Sequence, residues 1–305
     1  MCGCTVISLK PNNLITSKPQ NLKTAATMHI FYDIADTVTA FTAGKGCHGT
    51  EPGVDAREVG VTFPSSDEAE QTVPPSSFRI FGSQNLSTPS PLGGGTGRGA
   101  LFIPRQTHSV NVVWTDVPGE APDSDAVITA RRGLCVAVKT ADCIPVLLYD
   151  QRQRLVAAIH AGWRGTVGRI VQHTIREMKS RGEDLHAVIG PGISLEAFEV
   201  GDEVYDAFLQ AGFPMERIAR RFPAAASQPL PSPSTAASIL NSQFSINATK
   251  WHLDLWSANR WLLEQCGVRH IQVAGICTYH STDCYYSARR ETIKTGRNIN
   301  GIMLL

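Results

Sequence analysis

The sequence has almost no excess of charge of either sign. Its 305 residues include 28 basic and 27 acidic side chains, which give a formal net charge of +1 at pH 7. A chain balanced in this way exerts no long-range attraction on nucleic acid or on an anionic membrane, so neither is expected as a partner. Any anion that the protein binds must therefore be held by a local site.

Long hydrophobic runs are also lacking. The most apolar stretch, residues 134–149, is interrupted by Lys139, Asp142 and Pro145 and is too short to cross a bilayer. The N-terminus has neither the basic start nor the apolar core of a secretory signal. The eight cysteines are too sparse for a small disulfide-stapled domain. We therefore expect a protein of a reducing compartment, located in the cytoplasm.

The order of apolar runs predicts a mixture of helices and strands, and the length of the chain allows one large domain or two small ones. Residues 1–27 are polar and without a clear period, and we interpret them as an N-terminal extension. The Ala-, Ser- and Pro-rich segment 222–247 predicts a surface loop or a disordered insertion. Short apolar runs at 134–138, 146–149, 155–159, 186–189 and 271–276 predict buried strands. Helical spacing follows Thr166 and Asp254, each a natural N-cap, so an α/β or α+β fold is indicated.

Residues 31–41 predict the first strand region, and the Gly-rich residues 42–49 predict a loop. The run 50–99 is rich in Ser, Pro and Gly and ends in GGGTGRG. It fits neither of the common phosphate-binding Gly patterns and precedes a strand-like segment, so it also predicts a loop.

Three residues at the edges of predicted strands have side chains that suit a metal. His108, Cys143 and His160 each lie beside a turn and polar neighbours. Imidazole and thiolate are good zinc ligands, and three protein ligands leave the fourth position open for water. Taken singly, each is more often an ordinary buried or surface residue than a metal ligand. An alternative needs no metal, with Cys143 as the nucleophile and His160 as the base of a thiol hydrolase.

Basic residues near these positions suggest an anion site. The predicted helix after His160 would expose backbone N–H groups at Gly165 and Thr166, which suits phosphate. Arg164 could clamp the same anion, or it could pair with Asp142. Farther on, Arg289 and Arg290 could bind a nucleobase or phosphate together with Tyr285 and Tyr286, although a solvated surface is the ordinary alternative.

At these residues the chain resembles the YfiH (DUF152) family, also called the laccase-like multicopper polyphenol oxidase family. The resemblance covers about residues 100–305, and residues 30–49 match loosely, with Gly44 and Lys45 where the family carries an Arg. The matching stretches are RQTHS (105–109), DSDAVIT (123–129), VKTADCIPVLLYD (138–150), AAIHAGWRGTVGRI (157–170), IGPGIS (189–194), FEVGDEV (198–204), HLDLWSANRWLLEQCGV (252–268), GICTYH (275–280) and YYSARRE…GRN (285–298).

The resemblance implies that residues 28–305 form a single catalytic domain with 222–247 as a loop insertion. It implies a four-layer α/β/β/α sandwich with mixed sheets and a zinc site formed by His108, Cys143 and His160. It also implies phosphorolysis of adenosine, inosine, guanosine and methylthioadenosine, and deamination of adenosine. An older assignment to the same family is the oxidation of phenols with copper. Similar folds occur in deamidating toxins with a Cys–His pair, which supports the thiol-hydrolase alternative.

We therefore expect a purine nucleoside phosphorylase and adenosine deaminase that binds Zn²⁺, with copper as the alternative metal. The expected partners are purine nucleosides and phosphate, and the protein is expected to be a monomer or a small homo-oligomer. A copper-dependent polyphenol oxidase, a thiol hydrolase or deamidase, and a partner-binding module without activity remain as alternatives. The expected catalytic residues are Cys143, Asp142 and Arg164, and the expected substrate-binding residues are Arg105, Gly165, Thr166, Arg289 and Arg290.

Overall fold

The computed structural model of the chain describes residues 5–9, 28–45, 79–80, 100–223 and 249–305. Sixteen strands lie in these ranges: β1 Thr5–Leu9, β2 Met28–Ala35, β3 Val38–Ala43, β4 Arg79–Ile80, β5 Ala100–Phe102, β6 Val112–Trp114, β7 Ala126–Thr129, β8 Leu134–Thr140, β9 Ile144–Asp150, β10 Leu155–Ala161, β11 Leu185–Ile189, β12 Glu199–Val200, β13 Ala219–Pro223, β14 Thr249–Leu253, β15 His270–Val273 and β16 Asn298–Leu304. The α-helices are α1 Trp163–Val167, α2 Ile170–Met178, α3 Asp202–Gln210, α4 Met215–Ile218, α5 Leu255–Gln265 and α6 Ala288–Glu291. None of the described helices is long and apolar enough to cross a membrane.

Two large mixed sheets form the body of the protein. One has the strand order β1-β2-β3-β16-β8-β5 and the other β15-β11-β9-β10-β7-β6-β4, with a small sheet β12-β14-β13 beside them. Strands β8, β9 and β10 are buried along nearly their whole length, as their continuous apolar sequence predicts for strands covered on both faces. The expected α+β class with mixed sheets is confirmed.

Apolar side chains divide the molecule into layers. Val136 and Ile302 of the first large sheet share a cluster with Val127 and Leu147 of the second, so the two sheets pack face to face. The opposite face of the seven-stranded sheet packs against the helices, where side chains of α2 and α5 bury its other residues. A third buried cluster lines the outer face of the six-stranded sheet, where a fourth layer of the expected sandwich would pack.

Pairing within the seven-stranded sheet brings distant parts of the chain to one edge. Strand β9 is antiparallel to both β10 and β11, β10 is antiparallel to β7, β6 is parallel to β7, and β15 is parallel to β11. Consequently the starts of β6, β7 and β9 lie at the same edge as the ends of β10, β11 and β15. His108, Cys143 and His160 all occur at this edge.

The structure corrects several local predictions near this edge and at the N-terminus. The single helix predicted after Thr166 is two helices, because the chain breaks at Gly168 and at Arg169, which has a positive φ of 63°. Thr166 lies within α1 and does not cap it; Gly162 stands at the N-cap. Asp254 does cap α5, accepting a hydrogen bond from the Ser257 amide at 3.0 Å.

Other boundaries also differ from those predicted. Part of the expected N-terminal extension forms β1, which pairs in parallel with β2. The first strand region is a hairpin of β2 and β3, and β3 continues to Ala43, into the predicted loop. Residues 222–223 of the expected insertion end β13, whereas 224–248 lie outside the described residues, as does most of 50–99.

Candidate metal centre

His108, Cys143 and His160 converge at the edge of the seven-stranded sheet. One ligand atom from each of the three side chains lies within 4.8 Å of the others. Cys143 Sγ is 3.8 Å from His108 Nε2. Two atoms bonded to one zinc at tetrahedral angles would be about 3.6 Å apart for a sulfur and a nitrogen. The donor set and its spacing therefore fit a metal ion, and the described part of the chain contains one such group.

The three side chains differ in exposure, which leaves the group open on one side. His160 ends β10 and is only 4% exposed, Cys143 is half-buried just before β9, and His108 is exposed. The His108 and His160 rings meet edge to face, with centroids 4.8 Å apart. An ion held here would face solvent on the side of His108, as a catalytic metal requires.

Asp125 fixes the orientation of both histidines. Its fully buried carboxylate lies 2.7 Å from His160 Nδ1, so that Nε2 of the ring is left for a ligand. The same carboxylate accepts the backbone N–H groups of Thr107, His108 and Ser109 at 2.8–3.1 Å. These bonds hold the turn in which His108 has a positive φ of 62°. Such partners behind a metal ligand set its tautomer and direction.

The charges of the group favour a thiolate at Cys143. Burial alone would raise the pKa of Cys143, but the charge of His160 and hydrogen bonds from His108 and His160 lower it to about 6. Burial likewise opposes charge on His160, but Cys143 and Asp125 raise the pKa of this imidazole. Without a metal, the geometry therefore stabilises a thiolate–imidazolium pair. The thiolate is also the form of cysteine that binds metals.

The backbone of Gly162 packs directly against the ligands. A Cβ atom on this residue would lie 2.9 Å from Cys143 Sγ and 3.0 Å from His108 Cδ2. Real Cβ atoms very rarely approach so closely, and close approach of backbone to a site is a common use of glycine. Gly162 is therefore part of the wall of the site.

Asp142 connects the Cys143 turn to two other loops. Its backbone adopts a positive φ of 87°, and its carbonyl oxygen accepts the amide of Ile193 at 2.9 Å. One carboxylate oxygen accepts Thr278 Oγ1–H and the other accepts the Arg289 amide, both at 2.7 Å. Since both oxygens are engaged and the residue is buried, Asp142 is well placed to fix the turn that presents Cys143.

The predicted anion site at α1 is changed by the structure. The Thr166 amide donates to Gly162 O at 2.8 Å, and its buried Oγ1 accepts Asn259 Nδ2–H at 3.1 Å, so both groups are occupied within the protein. Gly165 is also buried. Arg164, in contrast, is exposed and stacks on Trp163 with 4.3 Å between guanidinium carbon and ring centroid. Among the described residues no carboxylate pairs with it, Asp142 included.

The remaining predicted binding residues have different surroundings. Arg105 is mostly exposed, 3.4 Å from the Glu120 carboxylate. Arg289 is exposed and lies over the Phe198 ring, with one donor 3.0 Å from Glu199 O. The Arg290 guanidinium donates all of its N–H groups to protein acceptors, and its role as a substrate ligand stays a prediction. Tyr285, suggested as a stacking platform, is completely buried and cannot stack on a ligand.

Asp125 is the important site residue that the residue-level analysis did not select. It lies in the DSDAVIT stretch, immediately before an apolar run that forms β7. An acidic residue at the start of a buried strand is the available signal. The role of Asp125 follows only from the pairing of β7 with β10, which places this residue beside His160.

Fold and site together define an α+β protein with an open His–Cys–His group at one sheet edge. Residues 95–305 match the sequence model of the family described as "Multi-copper polyphenol oxidoreductase laccase". This match covers more than half of the chain, and the chain belongs to that family.

Known relatives agree with this family and with the expected resemblance. A Bacteroides thetaiotaomicron protein named "Purine nucleoside phosphorylase" is 41% identical over 220 residues, covering 67% of this chain and 73% of the relative. "Adenosine deaminase RL5", from an unknown prokaryotic organism, is 36% identical over 219 residues, or 66% and 74% of the two chains. A solved DUF152 structure from Neisseria meningitidis superimposes with a TM-score of 0.60 at 25% identity, covering 88% of this chain and 95% of that one.

Proposed function

We propose that the chain is a zinc-dependent purine nucleoside enzyme that carries out phosphorolysis of purine nucleosides and deamination of adenosine. The observation that carries the proposal is the convergence of two imidazoles and one thiolate within 4.8 Å, open to solvent on one side. The names of the two similar proteins supply the substrate class. Purine nucleosides and phosphate are the proposed substrates.

His108, Cys143 and His160 would hold the metal in this proposal. When bound, zinc supplies the Lewis acidity that activates water for attack on C6 of adenine. Asp125 keeps the His160 ring turned toward the site through its 2.7 Å bond to Nδ1. Although the sequence predicts a catalytic role for Asp142, we assign this residue to positioning the Cys143 turn, because both of its carboxylate oxygens already accept hydrogen bonds.

Arg164 is the residue we propose for phosphate. Stacking on Trp163 orders its guanidinium without using its N–H donors, so the planar edge remains available for two oxygens of one anion. It follows Gly162, which touches the ligand side chains, by two residues. Phosphate held here would be directed at C1′ of a bound nucleoside, and Arg289, exposed above Phe198, could assist. Arg290 is not part of this proposal, because its guanidinium N–H groups already donate to protein acceptors.

The decisive experiment is a nucleoside panel assayed with and without phosphate on protein of measured metal content. We expect about one zinc per chain, base release that depends on phosphate, and ammonia release from adenosine. Arg164→Ala should remove the phosphate dependence, whereas Arg260→Ala, an exposed arginine paired with Glu264 on α5, should not. Phosphate dependence unchanged in Arg164→Ala would refute the role of this residue.

A thiol hydrolase is a second candidate because of one specific arrangement. Asp125, His160 and Cys143 form a series of acid, imidazole and thiol in which the pKa of Cys143 is lowered mainly by His160, against the effect of burial. A positioned base and a thiolate nucleophile are the essential parts of such an enzyme. Activity toward amides that persists after zinc removal would favour this candidate over the nucleoside enzyme.

The family description also raises copper and phenol oxidation. Multicopper oxidation needs several metal sites, and the described residues provide one group of three ligands. We therefore rank this candidate below the other two. Stoichiometric copper together with oxygen-dependent phenol turnover would reverse that order.

A further inference from the structure

The end of strand β3 is bound to a loop near the metal group. The Lys45 amide donates to Cys284 O at 2.8 Å, and its Nζ donates to Thr282 O at 3.0 Å. Nζ also lies 2.5 Å from Glu291 Oε1. Gly44 is in such close contact with Cys284 that any side chain there would collide with the backbone. The basic side chain at this position therefore serves a protein contact.

Glu291 links Lys45 to Arg290. Its Oε1 accepts from Arg290 Nη2 at 2.7 Å and from Nε at 3.2 Å, and its other oxygen accepts from Thr295. Partial burial would raise the pKa of Glu291, but the bonds from Lys45, Thr295 and Arg290 lower it to about 2, so the carboxylate remains charged. Four hydrogen bonds from three residues, two of which are cations, thus converge on one carboxylate.

Arg290 extends this contact into the loop of residues 278–291. Its Nη1 donates to the carbonyl oxygens of Thr278 and Tyr279, and its Nη2 donates to that of Tyr285, each at 2.6 Å. With the two bonds to Glu291, all five N–H groups of the guanidinium are satisfied. Arg290 therefore fixes the loop at both of its ends.

The inner side of the same loop holds Asp142. Thr278 Oγ1 and the Arg289 amide are the two donors to its carboxylate. Arg290 holds the carbonyl oxygen of Thr278 and is the next residue after Arg289. Asp142 has a backbone conformation that is unfavourable for a residue with a side chain, so it depends on these bonds. Cys143 is the next residue.

We infer that Lys45 and Glu291 are positioning residues for the metal centre, which act through Arg290, Thr278 and Asp142 on the Cys143 ligand. The inference rests on the proposed metal function. It assigns to Lys45 a structural contact on the loop behind the thiolate. Loss of the Glu291 charge would release Arg290, loosen loop 278–291 and spread the positions of Sγ.

The test measures metal binding by the full chain, independently of turnover. Zinc affinity is measured by competition with a chromophoric chelator, and the Co²⁺-substituted proteins give absorption spectra that report thiolate coordination. Partners behind metal ligands contribute about 10- to 100-fold in affinity. Because Glu291 acts at a distance, we expect about a 10-fold loss in Glu291→Gln and in Lys45→Met, with altered cobalt spectra. Lys45→Arg keeps the charge and should stay near wild type.

Glu264→Gln is the matched control. Glu264 also faces two arginines, Arg260 at 3.0 Å and Arg217 at 3.5 Å, but it lies at the end of α5. The zinc affinity of the Glu264→Gln variant should therefore equal that of the wild type. The inference would be overturned if the zinc affinities of Glu291→Gln and Lys45→Met were within about twofold of that of the wild type. It would also be overturned if both variants failed to fold, since Lys45 and Glu291 would then support the whole fold and not the metal centre. Wild-type protein that binds no zinc would instead refute the proposed function, and the inference with it.

Discussion

Replacing Asp125 by Asn would disturb both histidine ligands at once. The carboxylate accepts hydrogen bonds from the Thr107, His108 and Ser109 amides and from Ser109 Oγ, and it pairs with His160 Nδ1. An amide keeps one oxygen but places an NH₂ group against donors. It also removes the negative charge that orients His160, so the imidazole can take the wrong tautomer.

The expected magnitudes follow from these contacts. Unpaired buried donors cost about 1–3 kcal/mol each, and bonds to a charged group contribute about 1.5–3 kcal/mol. Since part of the shell relaxes, we expect the free energy of unfolding to fall by about 2–4 kcal/mol. Zinc affinity should fall by about 10- to 100-fold, as for other partners of ligating histidines.

The pH dependence of stability provides a second measure of the same interaction. Burial alone would raise the pKa of Asp125, but hydrogen bonds from His160, Ser109 and Thr107 lower it to about 2. A pKa below the unfolded value of about 3.9 means that the unfolded chain binds more protons on acidification. The free energy of unfolding of the wild type should therefore fall by about 2 kcal/mol as the pH falls from 4 to 2. This part of the pH dependence should be missing in Asp125→Asn.

Asp150→Asn is the appropriate control for the assay. Asp150 is equally buried and accepts bonds from the Arg152 and Gln153 amides, but it lies at the opposite end of β9 from Cys143. Denaturant unfolding and zinc competition would be measured on both variants. Asp150→Asn should lose stability and keep its zinc affinity. Wild-type zinc affinity in folded Asp125→Asn would show that Asp125 does not orient the ligands.

Three further predictions concern the site and the core. Gly162→Ala should fold, because its φ of −69° suits alanine, but should bind zinc weakly, since the new Cβ would lie 2.9 Å from Cys143 Sγ; metal analysis checks this. In metal-free protein, the rate of alkylation of Cys143 should rise with a midpoint at about pH 6, because His160 and His108 lower the pKa of the thiol against the effect of burial. Added zinc should protect the thiol. Mass spectrometry after timed quenching measures the alkylation rate in both conditions, and a midpoint near pH 9 would contradict the lowered pKa. Tyr285→Phe should keep or raise stability by up to about 1 kcal/mol, because the buried hydroxyl has no hydrogen-bond partner among the described groups; a clear fall in denaturation midpoint would count against that interpretation.

The parts of the fold that sequence predicted well are those where apolar pattern decides the outcome. The runs that became β8, β9 and β10 are buried on both faces, and their composition leaves few other possibilities. The cap of α5 at Asp254 was predicted from side-chain chemistry alone. The break between α1 and α2 was not, because Arg169 carries no local signal for its positive φ.

The site, too, contains residues that local sequence identifies and residues whose roles depend on distant contacts. His108, Cys143 and His160 were selected from residue chemistry and resemblance, and the structure brings the three together. The roles of Asp125, Thr278 and Glu291 depend on hydrogen bonds between segments far apart in sequence, which no local pattern records. The sequence suggests Arg290 as a substrate ligand, but it cannot show that the donors of this side chain face backbone carbonyls.

The order of the site residues along the chain has a consequence for biosynthesis. His108, Cys143 and His160 are all translated before Thr278 and Arg289, which restrain the turn of Cys143. A nascent chain therefore displays metal donors before their supports exist, and tight capture must wait until the C-terminal segment has docked. An ion that binds only the finished fold stabilises it by mass action, by about 3 kcal/mol at 100 times its Kd. The proposed metal site would therefore make the accumulation of this protein depend on the supply of its ion.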